Sequence, residues 1–374
     1  MNNRPIIYSD IEVLYKLASD YYERMSIQKN KRGSDFISSL LQQSDLCINI
    51  EDDKLEGLLK SCETENPDDL GMFLLAINGS HCATPDVFQS IIDNEEEIVS
   101  QNGTLFFLDK TVEETKRLRD EYGVWALNGD EITEDVFKFT FNNNYDPNEN
   151  DKRPLSDNGW RNELNGILFP VCNSIVVSDD YLVSNSNSDK YIGLSNLTML
   201  FDVILPKSTT LKVPFYITIF TDPNPHGNNP NDNVMKSKVR NWIDDEIKPL
   251  RRNYNIVVEV IFTKKALHDR RLLTLHYYID PDKGFHVFLP QSNNVYKDGD
   301  DINKVHAESF YFNYGNPYVK RTSQYESAYC DTCKLKKIYE NAYDNFIQGH
   351  DVEGVDKVAG DIPTSKKSKN CVLN

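Results

Sequence analysis

The chain lacks any apolar run approaching the roughly 18–20 residues that cross a bilayer, so no membrane-spanning helix is expected. Its opening, MNNRPIIYSD, lacks a basic stretch followed by an apolar one, so no secretory signal is expected either. Cysteine is sparse: seven residues, scattered at 47, 62, 82, 172, 330, 333 and 371. An odd, dispersed set in 374 residues is not a disulfide framework and points to a reduced, cytoplasmic setting. A single CxxC, Cys330 to Cys333, has no second pair at zinc-site spacing, and two packed thiols are the expectation. Basic residues are scarce in the first 150 positions, which hold 13 Lys and Arg against 30 Asp and Glu. That stretch therefore carries the whole net charge of −17, while the remainder balances 28 against 28. The charge argues against broad, non-specific nucleic-acid binding by the first part, and a basic protein partner remains open.

What is present is a long alternation of apolar and amphipathic segments. With this length and 39% hydrophobic residues the chain is expected to form two α/β domains. The expected boundaries are an acidic α/β domain over 1–145, a linker over 146–164, a second domain over 165–320, and a helical segment with a flexible tail over 321–374. The linker assignment rests on NNNYDPNENDKRPLSDNGW, which is rich in Asn, Asp and Pro. In the first part, 104–108 and 124–127 read as strands around a charged helix, Val112–Tyr122, that Gly123 closes; this β-α-β unit implies parallel pairing. In the second part 174–177, 215–220 and Ile256–Phe262 read as strands, with helices over 196–204 and 236–252. The strongly apolar 215–220 is expected to be central.

The most informative stretch is Leu267-His268-Asp269-Arg270-Arg271-Leu272-Leu273-Thr274. Read as one strand, it puts His268, Arg270, Thr274 and His276 on one face and Asp269 and Arg271 on the other. Arg grips phosphate oxygens through its planar fork, and His can attack phosphorus or move a proton. LHDRRLLTLHYY followed by KGFHVF resembles the divergent, single-motif branch of the phospholipase D-like superfamily, typified by the C-terminal domain of MIT-containing proteins, over roughly 165–320. The resemblance implies a mixed sheet flanked by helices and a phosphodiester ligand, from nucleic acid or phospholipid. It implies catalysis by His268, Arg270 and His276, with Asp269, Arg271, Thr274, His286 and the loop residue His226 around the substrate. It implies no metal for that chemistry. Arg270 stands where the superfamily has Lys, the distal Asp position is Leu275, and no second motif copy exists. Chemistry would then need a homodimer through the His268 face, or His276 or His286 as local acid. A purely structural His268, held by Asp269, is the competing reading. Modules of this kind joined to others occur in prokaryotic conflict and defence systems.

Two further signals stand apart. Asp10, Asp109 and Asp130 follow strand-like segments and, if they converge at one sheet edge, could hold a divalent metal, Mg²⁺ or Mn²⁺. This resembles PIN-like nuclease domains and implies a metal-dependent nuclease as the alternative activity; a non-catalytic adaptor is the third. The end of the chain, KKSKNCVLN, has the outline of a prenylation box at Cys371, but a solvated tail is the expectation.

Overall fold

Short apolar runs separated by helix-period stretches fold the first 137 residues as alternating strands and helices. The computed structural model describes residues 5–27, 31–63, 66–77, 79–101, 104–137, 140–142, 172–184, 186–187, 190–206, 211–224, 232–251, 253–265, 270–281, 285, 288–290, 296–298, 306–309, 323–350 and 356–374. The chain divides into two units, Met1–Lys138 with Phe310–Glu326, and Phe139–Ser309 with Ser327–Asn374.

In the first unit β1 (Ile6–Asp10) leads into α1 (Ile11–Ile27) and α2 (Lys31–Gln42). Then follow β2 (Asp45–Asn49), α3 (Asp52–Ser61), α4 (Asp69–Ile77), β3 (Ser80–Ala83) and α5 (Pro85–Asp93). β4 (Leu105–Phe107), α6 (Val112–Tyr122), β5 (Ala126–Leu127) and the single turn α7 (Glu134–Phe137) complete it. The five strands are all parallel in the order β3-β2-β1-β4-β5. β4, α6 and β5 form the β-α-β unit expected from sequence. Its helix starts at a capping box, in which the Thr111 hydroxyl accepts from Glu114 N at 3.2 Å and Thr111 N donates to the Glu114 carboxylate at 2.9 Å. It stops at Gly123, whose φ of 63° suits a residue without Cβ. The core joins Ile7, Leu14, Phe36, Leu46, Phe73, Leu105 and Phe107. Burying side chains such as Phe73 and Phe107 contributes about 1.5–3 kcal/mol each.

The second unit contains β6 (Thr140–Asn142), β7 (Ser174–Ser178), the short pair β8 (Ser186–Asn187) and β9 (Lys190–Tyr191), and α8 (Ile192–Ile204). β10 (Phe215–Thr221) is followed by α9 (Asp232–Trp242), which continues through a π turn, Ile243–Ile247, and a 3-10 turn, Lys248–Leu250. The widened turn buries the consecutive residues Trp242 and Ile243. Next come β11 (Ile256–Phe262), β12 (Arg271–Leu273), β13 (Tyr277–Asp280), the ribbon of β14 (Phe288–Pro290) and β15 (Tyr296–Asp298), β16 (His306–Ser309), α10 (Ser323–Ile347) and β17 (Lys357–Gly360). An eight-stranded mixed sheet runs β17-β11-β10-β7-β12-β13-β16-β6. β7, β10 and β11 are parallel and every other pairing is antiparallel. β10 lies between β7 and β11, an interior position that its apolar sequence predicts.

One face of this sheet, with Ile175, Val177, Ile217, Ile219, Val258 and Val260, packs against Leu197 and Phe201 of α8 and Val239 and Ile247 of α9 and its extension. The other face carries polar side chains and is closed by α10 and residues 361–374. Tyr339 donates to Glu259 at 3.0 Å, and the Asn370 amide donates to Ile175 O at 2.8 Å and to the Thr218 hydroxyl at 3.1 Å.

Three expectations are corrected. Among the described residues 270–276 there is no single strand: β12 ends at Leu273, and a turn joins it to β13. The Thr274 hydroxyl drives that turn by accepting from His276 N at 3.1 Å and Tyr277 N at 3.0 Å, as a backbone carbonyl would. The tail expected to be flexible contains an antiparallel edge strand, β17, and buried Val372 and Leu373, because its few apolar residues and Asn370 fill the second sheet face. Thr140–Asn142 pairs with β16 as the edge of the second unit, ahead of the boundary expected at 145, whereas 146–164 lies outside the described residues.

Candidate functional site

The C-terminal edge of the parallel strands of the second unit is where an α/β sheet ordinarily receives a ligand, since the chain leaves each strand there in a loop. Because β12 runs antiparallel to β7 with Arg271 opposite Ser178, the start of β12 lies at that edge. Arg270 therefore meets Asp179, the residue directly after β7. Asp179 is 1% exposed: one oxygen accepts from Tyr181 N at 2.8 Å and lies 3.4 Å from Arg270 Nε, and the other accepts from Phe285 N at 3.3 Å. The Arg270 guanidinium also sits over the Tyr181 ring, 4.8 Å from its centre. A buried carboxylate and a ring thus fix a guanidinium whose side chain stays 20% exposed.

Arg271 turns elsewhere. Its Nε lies 3.4 Å from Asp331 of α10 and its guanidinium 5.6 Å from the Tyr278 ring centre. The two arginines engage different partners, in keeping with the alternation of a strand. At the same sheet edge, Thr263 donates to Asp356 at 2.8 Å, and Lys265 pairs with Asp356 at 3.6 Å.

Thr274 and His276 are not brought to Arg270. Four residues at about 3.3 Å each put Thr274 roughly 13 Å along the chain, at the opposite end of β12. His276 is 1% exposed, and burial pushes its imidazole down to about 3, so it is neutral at any working pH. Its place in the turn does not suit it to donate a proton at Arg270. His268, Asp269, His286 and His226 lie outside the described residues.

The first unit presents an acidic edge at the same end of its own sheet. Asp10 closes β1, Asn49 closes β2, Asp109 follows β4 and Asp130 follows β5. Asp10 is the junction: one oxygen accepts from the Asn49 amide at 2.9 Å and the other from Asp109 N at 2.8 Å. Asp10 and Asp109 are thus neighbours. Asp130 is paired with the Lys16 ammonium, while Asn128 accepts from Asp130 N and Glu131 N and braces that loop. Among the described residues no three His, Cys, Asp or Glu side chains approach closely enough to hold a metal ion. One hydrogen bond meets each Asp10 oxygen, and Lys16 pairs with Asp130.

Cys330 is exposed and Cys333 half-buried on α10, both as free thiols. Cys371 lies in a 3-10 turn whose neighbour Val372 is buried. Asp179 and Tyr181 escape notice in the sequence, although the run Ser-Asp-Asp-Tyr directly after an apolar strand is the signal that marks a sheet edge. No family model matches the chain, and no curated protein or solved structure matches it.

Proposed function

We propose that the second unit is a phospholipase D-like module that recognises the phosphate of a phosphodiester, in nucleic acid or phospholipid. The observation that carries the reading is Arg270, the last residue of the His-Asp-Arg run, held by buried Asp179 and Tyr181 at the C-terminal edge of β7. A guanidinium fixed in this way loses little side-chain entropy when it grips an anion. His268, two residues before Arg270, supplies the nucleophile if the module turns substrate over, and a second copy of the chain supplies the general acid through the same face. Binding without turnover is the favoured form: Arg replaces the superfamily lysine, Leu275 the distal aspartate, and His276 is buried at the other end of the strand. A role in a prokaryotic defence system rests on analogy of domain combination alone.

The test is binding of the full chain to a single-stranded oligonucleotide and, separately, to vesicles containing phosphoinositide. Arg270→Ala is expected to weaken the preferred ligand by about 1.5–3 kcal/mol, or roughly ten- to a hundred-fold. Metal-independent cleavage lost in His268→Ala would convert the binding reading into an enzymatic one. Unchanged affinity of Arg270→Ala for both ligands overturns the proposal.

A second reading is a PIN-like nuclease in the first unit. The parallel order β3-β2-β1-β4-β5 and the direct contact of Asp10 with Asp109 favour it. On that reading Mn²⁺-dependent cleavage disappears in Asp10→Asn and persists in Arg270→Ala. Absence of cleavage with Mn²⁺ in the intact chain removes it.

A further inference from the structure

The second sheet face of the second unit holds a cavity unrelated to Arg270. It lies toward the N-terminal ends of β10 and β11, away from the motif edge, and encloses about 450 Å³, within the roughly 300–1,000 Å³ typical of small-molecule sites. Its walls come from Tyr216, Val257 and Glu259 of the sheet, Tyr339 of α10, and Ile362 and Lys369 of the C-terminal segment, with the Lys248 and Asp361 pair also lining it.

Glu259 is the unusual member. It is a single carboxylate in the run Ile-Val-Val-Glu-Val-Ile-Phe, 6% exposed in the middle of the sheet. Burying an ionised carboxylate is costly unless a cation compensates it. Here the direct partners are two hydroxyls: Thr218 donates to one oxygen at 3.2 Å and Tyr339 to the other at 3.0 Å. Desolvation accordingly pushes the Glu259 carboxyl up to about 6. Each carboxylate oxygen has two acceptor positions, and one on each is taken. The group is thus oriented by two fixed donors while keeping one acceptor per oxygen for a ligand with two adjacent donors.

The rim supplies the opposite charge. Lys369 is exposed and close enough to act on Glu259 electrostatically. Lys248 lies 3.1 Å from both Asp244 and Asp361, so its charge is matched, and Lys369 is left as the cation to meet an anionic group. Ile362 presents an exposed apolar side chain, 58% accessible, beside these groups. The cavity therefore combines a two-acceptor carboxylate, tyrosine and isoleucine surface, and a lysine at its mouth. A free amino acid would leave most of that volume empty.

We propose that this cavity binds a guanine nucleotide, with the paired N–H donors of the base on Glu259 and the phosphate at Lys369. Adenine offers an acceptor where guanine offers its ring N–H, so it faces the carboxylate with a repulsive lone pair. The site is independent of phosphodiester recognition at Arg270.

Calorimetric titration of the full chain with guanosine monophosphate tests the assignment. Binding is expected, with adenosine monophosphate weaker by about tenfold or more, the effect of one reversed charged hydrogen bond. Glu259→Gln, which puts an amide donor against the donors of the base, is expected to weaken guanosine monophosphate by a similar factor; thermal unfolding checks that the variant is folded. Lys369→Ala, at an exposed position, is expected to weaken guanosine monophosphate several-fold and to leave guanosine unchanged, so the proposal stays testable even if Glu259→Gln fails to fold. No binding by the native chain at millimolar nucleotide overturns it. So does equal affinity for the two nucleotides, preferential binding of free arginine, or a Lys369→Ala chain with undiminished affinity.

Discussion

Neutralising Glu259 should change how the second unit responds to pH. The carboxyl is pushed up to about 6 in the fold from an ordinary value of 4.5. Below pH 4.5 the group is protonated in both folded and unfolded chains, and its charge costs nothing. Between pH 4.5 and 6 the unfolded chain releases the proton while the folded chain keeps it, so stability falls as pH rises. Above 6 the penalty is constant. A shift of about 1.5 units at about 1.4 kcal/mol each makes it about 2 kcal/mol. Glu259→Gln cannot ionise and carries no such term. The stability of Glu259→Gln minus that of the native chain should therefore rise by about 2 kcal/mol from pH 4.5 to 7. Other carboxylates cancel in the difference. Because two units need not unfold together, the assay is hydrogen exchange of the β10 and β11 amides, which reports opening of this sheet alone. A difference that stays flat with pH, or one that falls, refutes the account of Glu259 as a carboxylate whose desolvation outweighs its two hydroxyl partners and Lys369.

Two more outcomes are expected. Asn370→Ala removes amide donors to Ile175 O and Thr218 and the acceptor for Val372 N, all buried, and should destabilise the second unit by about 2–4 kcal/mol in denaturant titration; a loss below about 0.5 kcal/mol would show the segment is not integral. Cys47 and Cys82 face each other on parallel β2 and β3 with sulfurs 3.6 Å apart. Burial pushes the Cys47 thiol up to about 12, so exposed Cys82 should react first with diamide and Cys47 then close a disulfide. Peptide mapping that finds Cys82 modified but never linked to Cys47 would contradict this geometry.

Sequence was most informative where local chemistry agrees with the fold. The charged helix-period stretch and the closing Gly123 mark α6, and the apolar strands on either side leave one parallel solution. β10 and β11 are legible because predominantly apolar runs belong inside a sheet. The hairpin after Arg270 was not legible: no Gly or Asn-Gly marks it, and a threonine hydroxyl does the work of a turn residue. Nor was the packed tail, whose composition is polar, since its burial depends on three residues, Asn370, Val372 and Leu373, among many lysines and serines. Arg270 could be found from the motif. Its partners Asp179 and Tyr181 lie some ninety positions earlier and meet it only because β12 runs back along β7. Glu259 stands in view as one charge in an apolar strand, but no local pattern marks it as a site residue.

The closure of the second sheet face by Asn370 has a temporal side. The amide that reaches Ile175 O belongs to a residue 195 positions later in the chain. At roughly 5–20 residues per second, a ribosome takes about 10–40 seconds to make that stretch. From their own synthesis until then Thr218 and Glu259 have no cover from this segment, and β11 has an open edge until β17 emerges to pair with it. A nascent chain in this condition is a natural client for a chaperone, whereas the first 138 residues already hold every strand of their own sheet.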